Sequence, residues 1–289
     1  AFFSLTTAFH IRLSYFVYLS QTRRFMVNLF IHWDVNPEIF RIGSFAVRWY
    51  GLLFASGFYF GYLILAALFK REKVAVAVLD KLAFYMIIST VIGARLGHCL
   101  FYEPAYYLSK PFEILKIWEG GLASHGAAIG ILIALWIFSI KTGKSFLWTI
   151  DRIVIVTALA GAFIRTGNLM NSEIIGIPSQ HVWAFIFTRV DMIPRHPAQI
   201  YEALAYLTSF FILLAYYNYK KTRPAEGVLF GLFLILIFTA RFLIEYVKEV
   251  QVAFETTLPL KLGQLLSIPF ILLGIFMLIR PFLFQKKKS

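Results

Sequence analysis

The stretch Gly227–Tyr246, with the sequence GVLFGLFLILIFTARFLIEY, carries no charged side chain before Arg241. About 20 apolar residues, rising about 1.5 Å each, cross the roughly 30 Å hydrocarbon core of a bilayer as one helix. Glu245 follows Arg241 by four residues, so the two side chains share a helical face. The stretch predicts a membrane-spanning helix with two charged groups near one end.

Six more apolar stretches of similar length lie elsewhere in the chain. They are Phe45–Phe69, Leu82–Tyr102, Leu122–Ile140, Phe146–Arg165, Ala198–Tyr219 and Leu262–Ile279. The 289-residue chain is 60% hydrophobic and 15% charged, with a mean hydropathy of +0.73. Soluble domains are about 45–50% apolar and about 25% charged, so the composition excludes a soluble globular protein and a disordered one. We predict an all-α polytopic membrane protein with seven transmembrane helices.

The basic residues of the chain are distributed unevenly between the two sets of loops. The loops after the first, third and fifth stretches and the C-terminal tail hold 13 Lys and Arg residues, and the opposite loops hold six. Cytoplasmic loops are the ones enriched in Lys and Arg. We therefore expect the N-terminal side of the first span outside and the C-terminus in the cytoplasm. The net charge of +13 then reflects topology, and no nucleic acid partner is expected.

Two outside loops, residues 103–121 and 167–197, are too long to be simple connections, because loops beyond about 12–15 residues are usually functional or disordered. They predict a head on the outer face of one seven-span domain, residues 26–289. Residues 1–25 hold three arginines and precede Met26, so we interpret them as a non-native or unprocessed extension; a degenerate signal segment remains an alternative. The single cysteine, Cys99, excludes an internal disulfide and is expected to be a small buried thiol.

Charged side chains at membrane depth are costly and often functional. Arg95 lies inside the second span. It could form an interhelical ion pair or take part in a functional site. Arg241 and Glu245 may be read in the same two ways, as a local ion pair or as part of a site. His125 follows a Gly120-Gly121 turn at the outer end of the third span, a position suited to a general base. A histidine hydrogen-bonded to a neighbouring carbonyl is its alternative interpretation.

Two clusters near the outer ends of helices predict anion sites. In the first, Arg165 and Asn168 share a face if the fourth helix continues that far, and their donors suit a lipid phosphate. A helix cap with a snorkelling arginine is the alternative. In the second, Arg195 and His196 precede Pro197 at the expected start of the fifth helix; a topological anchor is the alternative. Zinc motifs, nucleotide-binding glycine loops and serine nucleophile elbows are absent from the sequence, so we expect an anionic lipid to be handled without a metal or cofactor.

Taken in order, these motifs resemble the prolipoprotein diacylglyceryl transferase family from about Ile31 to Arg280. The segments that carry the resemblance are His32–Pro37, Arg48–Leu52, Gly93–Gly97, Gly120–Gly126, Arg165–Glu173, Arg195–Pro197 with Gln199, Tyr201 and Glu202, Arg241 with Glu245, and Gly263-Gln264 with Ser267–Pro269. The chain departs from the usual pattern at several positions, including His98, Ser124, Thr166 and Ile237. Ile237 replaces a common tyrosine, which puts an essential role for that hydroxyl in doubt.

The resemblance implies an enzyme of the bacterial inner membrane with its site on the periplasmic face. Its substrates are phosphatidylglycerol and the signal peptide of a prolipoprotein, whose lipobox cysteine receives the diacylglyceryl group, and glycerol phosphate is released. The implied catalytic residues are His125, Arg165 and Arg241, and the implied lipid-binding residues are Arg165, Asn168, Tyr50, Glu173 and Gly176. Supporting roles are expected for Arg95, Arg195, His196, Glu202 and Glu245.

The expected mechanism assigns the thiol proton to His125, because thiolate is the nucleophile. Arg165 and Arg241 are expected to hold the phosphate and to stabilise charge on the leaving group, while Asn168 and Tyr50 orient the headgroup. Whether His125 is the base or an orienting donor stays open. A transporter or flippase for an anionic lipid or metabolite is the alternative function, but it predicts internal repeats that are not evident. A non-catalytic membrane scaffold would leave the membrane-depth Arg and His side chains without a role.

Overall fold

The structure, a computed structural model, describes residues 30–43, 45–117, 120–221, 224–250 and 257–284. The interpretation of residues 1–25 therefore lies outside the described residues. The α-helices are α1 (Trp49–Arg71), α2 (Val76–Phe101), α3 (Pro104–Ser109), α4 (Ser124–Thr142), α5 (Phe146–Met170), α6 (Ala198–Tyr219), α7 (Val228–Ile244) and α8 (Leu262–Phe284). The strands are β1 (Ile31–Trp33), β2 (Glu38–Ile42), β3 (Phe45–Arg48), β4 (Phe185–Phe187) and β5 (Pro194–Arg195). Short 3-10 helices cover Pro111–Leu115 and Glu245–Val247.

Seven helices within the described residues are long and apolar enough to cross a membrane, namely all but α3. The prediction of an all-α, multi-pass membrane protein is confirmed. The first predicted stretch began too early, because Phe45–Arg48 pairs with Glu38–Ile42 as a hairpin strand and the helix starts at Trp49. The fourth continues beyond Arg165 to Met170, which satisfies the condition for Arg165 and Asn168 to share a face.

Helix α5 is the centre of the bundle. In its most apolar segment of 18 residues, 56% of the residues are buried inside the protein, a larger share than in any other span. It packs against α1 on one side and α6 on the other. Side chains from its first half, such as Ile150 and Ile155, belong to the main apolar core with Leu82, Phe138 and Leu213. Polar groups carried by α5 are therefore held at the middle of the molecule.

Helices α2 and α4 form a second unit through direct backbone contact. A Cβ atom placed on Gly97 would lie 2.6 Å from the Cα of Gly126, and one on Gly130 would lie 2.6 Å from the carbonyl oxygen of Ser89. Only glycine permits this approach, which small-residue steps favour in membranes. Gly126 and Gly130, which are four residues apart, therefore form the contact face of α4. Since α4 begins at Ser124, the contact also fixes where His125 lies.

The long connections collect at one end of the bundle, here called the head end, where α1, α4, α6 and α8 begin and α2, α5 and α7 finish. Strands β1, β4 and β5 form a small sheet in which β1 and β4 are parallel and β4 and β5 antiparallel. Trp33 donates its indole N–H to the carbonyl of Leu169 at 2.9 Å and anchors the sheet on the end of α5. Strands of two and three residues are too short for an alternating pattern, so the sequence did not predict this sheet.

Candidate active site

The end of α5 carries the first part of the site. The Arg165 Nη1 group donates to Asn168 Oδ1 at 3.2 Å, and Asn168 Nδ2 donates to Glu173 Oε1 at 2.7 Å. Glu173 is brought back towards the helix by a turn in which Ser172 and Ile174 have φ of 56° and 58°. A β-branched residue such as isoleucine rarely adopts this left-handed conformation. The strained turn therefore holds the Glu173 carboxylate beside Asn168.

Helix α6 supplies the acidic partner of Arg165. Glu202 is fully buried, and its Oε2 atom lies 2.9 Å from Arg165 Nε. The other carboxylate oxygen, Oε1, lies 3.5 Å from the ammonium of Lys248. Lys248 in turn lies 3.3 Å from Glu245 Oε2. These four side chains form an alternating, electrically neutral chain, Arg165–Glu202–Lys248–Glu245, here called the charge chain.

Arg241 stands outside the charge chain. Its Nε atom is buried and has no hydrogen-bond partner among the described residues. The local pair that the sequence left open, Arg241 with Glu245, is not formed within the described part of the chain, because the Glu245 carboxylate binds Lys248 instead. Tyr206 lies between the two arginines: its ring centroid is 6.0 Å from Arg165 Cζ, and the charge of Arg241 also acts on its phenol. A partly buried guanidinium whose Nε atom has no partner among the described residues is suited to bind an anion.

The net charge of the cluster agrees with that conclusion. Lys261 binds the carbonyl oxygens of Glu245 at 2.9 Å and Lys248 at 2.5 Å. Among the described residues, the cluster holds four cationic side chains and three carboxylates, namely Arg165, Lys248, Arg241 and Lys261 with Glu202, Glu245 and Glu173. Glu173 is exposed and bound by amides of Asn168 and Asn171. Within the described part of the cluster, cationic side chains therefore outnumber carboxylates by one.

Tyr50 and Gly176 complete the part of the site that surrounds α5. Tyr50 packs on Gly167 so closely that a Cβ atom there would lie 2.8 Å from its Cδ2, and the charges of Glu173 and Arg165 both act on its hydroxyl. Gly176 donates its N–H to the carbonyl of His196 at 3.0 Å, and a Cβ on Gly176 would lie 2.5 Å from that oxygen. Tyr50 and Glu173 thus lie close to Arg165, whereas Gly176 contacts the backbone of His196 and Val247.

Arg195 does not form the second anion site expected from the sequence. Its guanidinium binds Asp191 at 2.6 Å and Glu249 at 3.0 Å, which satisfies its charge. The hydrogen bond from Arg195 holds the pKa of Asp191 below its ordinary value. His196 instead contacts Tyr201, with Nδ1 3.2 Å from the hydroxyl, and burial lowers its pKa with a smaller contribution from His181. Arg195 and His196 therefore form contacts within the head, and their role as a topological anchor stays a prediction.

Arg95 and His125 lie on the α2–α4 unit. Arg95 forms no ion pair within the described residues; its guanidinium donates to the carbonyls of Glu113, Ile114 and Gly120 at 2.6–2.9 Å and so fixes the loop before α4. His125 is exposed at the first turn of α4 beside the rings of Phe101 and Tyr102. No contact among the described residues joins His125 to Arg165. The structure brings the predicted arginine and carboxylate groups together and leaves the predicted base at a separate position of the head end.

Two lysines and one glutamine of the site were not predicted from the sequence. Lys248 and Lys261 entered the sequence analysis only as basic residues of the outside loops, and Gln199 only as part of the family motif. In the structure, Gln199 Nε2 donates a hydrogen bond to the Glu173 carbonyl at 2.7 Å. Lys248 lies three residues after Glu245, a spacing that was visible. In the described residues, no group of three His, Cys, Asp or Glu side chains is placed to hold a metal ion.

Comparison with known proteins shows the family of the chain. The family model described as prolipoprotein diacylglyceryl transferase matches residues 37–280. The chain belongs to this family. Relatives named phosphatidylglycerol–prolipoprotein diacylglyceryl transferase include one from Tolumonas auensis, 49% identical over 86% of this chain and 96% of its own length. Another, from Chloroherpeton thalassium, is 47% identical over 86% of this chain and 93% of its own length, and one from Bacteroides fragilis is 43% identical over 90% and 98%.

Proposed function

We propose that this chain transfers the diacylglyceryl group of phosphatidylglycerol to the thiol of a prolipoprotein cysteine. The family supports the activity. The observation that carries it to these residues is the Arg241 side chain, whose buried Nε atom has no hydrogen-bond partner among the described residues, near the neutral charge chain. An arginine without a carboxylate matches a phosphodiester in charge and geometry. The transporter alternative gains no support from the comparisons.

The proposed reaction forms a C–S bond and breaks a C–O bond. The cysteine thiolate attacks the glycerol carbon that carries the phosphate ester, and glycerol phosphate leaves with the bonding electron pair. Arg241 and Arg165 stabilise the charge that grows on the leaving phosphate, which is where preorganised cations lower the barrier. Asn168 and Tyr50 orient the headgroup beside them.

His125 is proposed to take the thiol proton. Its exposure on the first turn of α4 supports this role, because the peptide must reach it from outside the bundle. The two substrates then span the space between His125 and Arg165, with the thiol on one side and the phosphate on the other. His125→Gln is expected to slow single-turnover transfer by about 10²–10⁴-fold, the usual contribution of a general base. Normal transfer at saturating lipid would remove this role.

The topology is part of the proposal. The 13-to-6 distribution of basic loop residues supports a bacterial inner-membrane protein with the head end in the periplasm and the C-terminus in the cytoplasm. Thiol labelling of a cysteine introduced at Lys221, in a variant in which Cys99 is replaced by alanine, is expected to require a membrane-permeant reagent. Labelling by an impermeant reagent in intact cells would reverse the orientation.

The test of the activity uses the purified full chain in micelles that contain phosphatidylglycerol and a lipobox peptide. The expected products are a peptide heavier by one diacylglyceryl group, resistant to thioester cleavage, and an equal amount of glycerol phosphate. Peptide without its cysteine is the control. Release of glycerol phosphate without peptide modification would indicate a lipase and contradict the proposal.

A further inference from the structure

A cavity between α5 and α6 has no assigned role. It has a volume of about 260 Å³ and lies in the head-end halves of the two helices. Most of its walls are apolar side chains, among them Leu159, Phe163 and Leu207, while Thr166 and Gln199 are its polar residues. Gln199 connects the cavity with the candidate active site, because its Nε2 group donates a hydrogen bond to the Glu173 carbonyl.

The orientation of the Gln199 amide is fixed by that hydrogen bond. A carbonyl oxygen only accepts, so the atom facing Glu173 is the nitrogen and the Oε1 atom points away from it. Gln199 is fully buried, and Oε1 has no hydrogen-bond partner among the described residues. Buried acceptors are rarely left unpaired, because the lost hydration is not replaced. The cavity therefore lacks a donor at this point.

Thr166 does not supply the missing donor. Its hydroxyl donates to the carbonyl of Ala162 at 2.9 Å, so towards the cavity it offers only lone pairs. No carboxylate or cationic side chain lines the cavity. The polar end of the cavity thus selects a neutral group with an O–H or N–H, since a charged amine would lose its hydration without a counter-ion.

We propose that Gln199 Oε1 accepts a hydrogen bond from a hydroxyl of the glycerol headgroup and so selects phosphatidylglycerol among anionic phospholipids. The inference rests on the proposed function. The acyl chains and ester groups of a phospholipid carry no donor, and the phosphodiester only accepts. The headgroup hydroxyls are the neutral donors of the lipid. Gln199 connects to Arg165 through Glu173 and Asn168, which places the hydroxyl and the phosphate sites next to each other.

The experiment compares two lipids that differ only in the headgroup hydroxyls. Single-turnover transfer to the lipobox peptide is measured with phosphatidylglycerol and with phosphatidylpropanol of the same acyl chains. The wild-type protein is expected to prefer phosphatidylglycerol by about tenfold, the size of one hydrogen bond in a low-dielectric site. Gln199→Met, which keeps the volume but removes the acceptor, is expected to bring the ratio close to one.

Gln264→Met is the matched control. Gln264 is also buried, but its Oε1 accepts from the Lys261 N–H at 3.1 Å and its Nε2 donates to the Phe242 carbonyl at 3.3 Å. Its loss is expected to lower thermal stability and to leave the lipid ratio at the wild-type value. If Gln199→Met does not fold, the wild-type ratio decides, because recognition of the headgroup hydroxyls requires a preference for phosphatidylglycerol over phosphatidylpropanol.

Three results would overturn the inference. A wild-type ratio in folded Gln199→Met would mean that water pairs with Oε1. Equal loss with both lipids, together with a higher KM for the peptide, would assign Oε1 to a peptide N–H. A wild-type ratio close to one would also exclude headgroup recognition, whether or not Gln199→Met folds. Absence of wild-type transfer from either lipid would instead contradict the proposed function itself.

Discussion

Two buried arginines of the same helix have opposite surroundings. At the end away from the head, Arg152 binds both oxygens of Glu72 through Nε and Nη2 at 3.0 and 3.1 Å, and Trp148 and Tyr217 donate to the same carboxylate. Every oxygen there has its donors. At the head end, Arg165 shares Glu202 with Lys248, while Arg241 and the Gln199 carbonyl have no partners among the described residues. A complete cluster stabilises the fold, and an incomplete one is prepared for a ligand.

Exchange of the two arginines for lysine should separate these roles most strongly. Arg165→Lys keeps the charge but loses the planar fork, so we expect transfer to fall by about 10²–10³-fold in a protein that still folds. Arg152→Lys is the matched control and should keep its activity per folded molecule while unfolding at a lower temperature. Transfer rates and thermal unfolding of both variants test this. Full activity of Arg165→Lys would contradict the assignment.

Removal of Arg241 should have opposite effects on activity and stability. We expect Arg241→Gln to lower transfer by about 10²-fold and to raise stability by about 1 kcal/mol, because a partly buried charge that has no carboxylate partner among the described residues is lost. Arg152→Gln should instead destabilise the protein by about 3–5 kcal/mol, since it leaves Glu72 buried and unpaired. If Arg241→Gln were also destabilised, Arg241 would have a structural partner, and the head-end cluster would be as complete as the other.

The charge chain predicts that a second substitution, at Glu245, compensates for the loss of the Lys248 charge. Lys248→Met leaves Glu202 and Glu245 with too few cations and is expected to lower transfer about tenfold by drawing Arg165 out of place. Lys248→Arg should stay within about threefold of the wild type. The double variant Lys248→Met/Glu245→Gln restores neutrality and should recover most of the loss, a coupling that double-mutant cycles measure. Additive losses in the double variant would show that Lys248 acts only through packing.

The histidines are expected to make the stability of the head end, but not that of the Glu72 cluster, depend on pH. His32, His98, His125, His181 and His196 all lie at the head end, whereas the Glu72 cluster holds none. Burial lowers the pKa of His196 below its ordinary value of 6.5, so the unfolded chain takes up a proton more readily than the folded one. The stability that His196 contributes is present above pH 6.5 and is lost as the pH falls through its lowered value.

His196→Gln should remove this dependence. We expect the Tm of the wild type, relative to the variant, to fall by about 1–2 °C between pH 7.5 and pH 5.5. Thermal unfolding in matched buffers measures the difference, and the pair is compared at each pH so that other groups cancel. If the Tm difference between the wild type and His196→Gln stayed constant across this pH range, His196 would be protonated equally in the folded and the unfolded state.

The sequence predicted most of the fold and part of the site, for a physical reason. Membrane spans follow from local hydropathy, and the shared face of Arg165 and Asn168 follows from helical spacing, so both were accessible. The partners of the charged side chains were not predictable, because they are distant in the sequence. Arg95 binds carbonyls 18–25 residues away, and Lys248 contacts Glu202, 46 residues away. Arg152 and Arg165 are equivalent in a hydropathy pattern. Only the tertiary arrangement shows that Arg165, unlike Arg152, lies in a cluster that contains polar atoms without partners among the described residues, namely Arg241 Nε and Gln199 Oε1.

The Glu72 cluster has a further consequence for a chain that contains a single cysteine and therefore has no internal disulfide. One carboxylate at the end of α1 receives donors from α5 and α6, 76 to 145 residues along the chain. It acts as a noncovalent cross-link between three segments that are distant in the sequence. Loss of any one donor weakens the others, so these positions are expected to change together during evolution, as paired cysteines do.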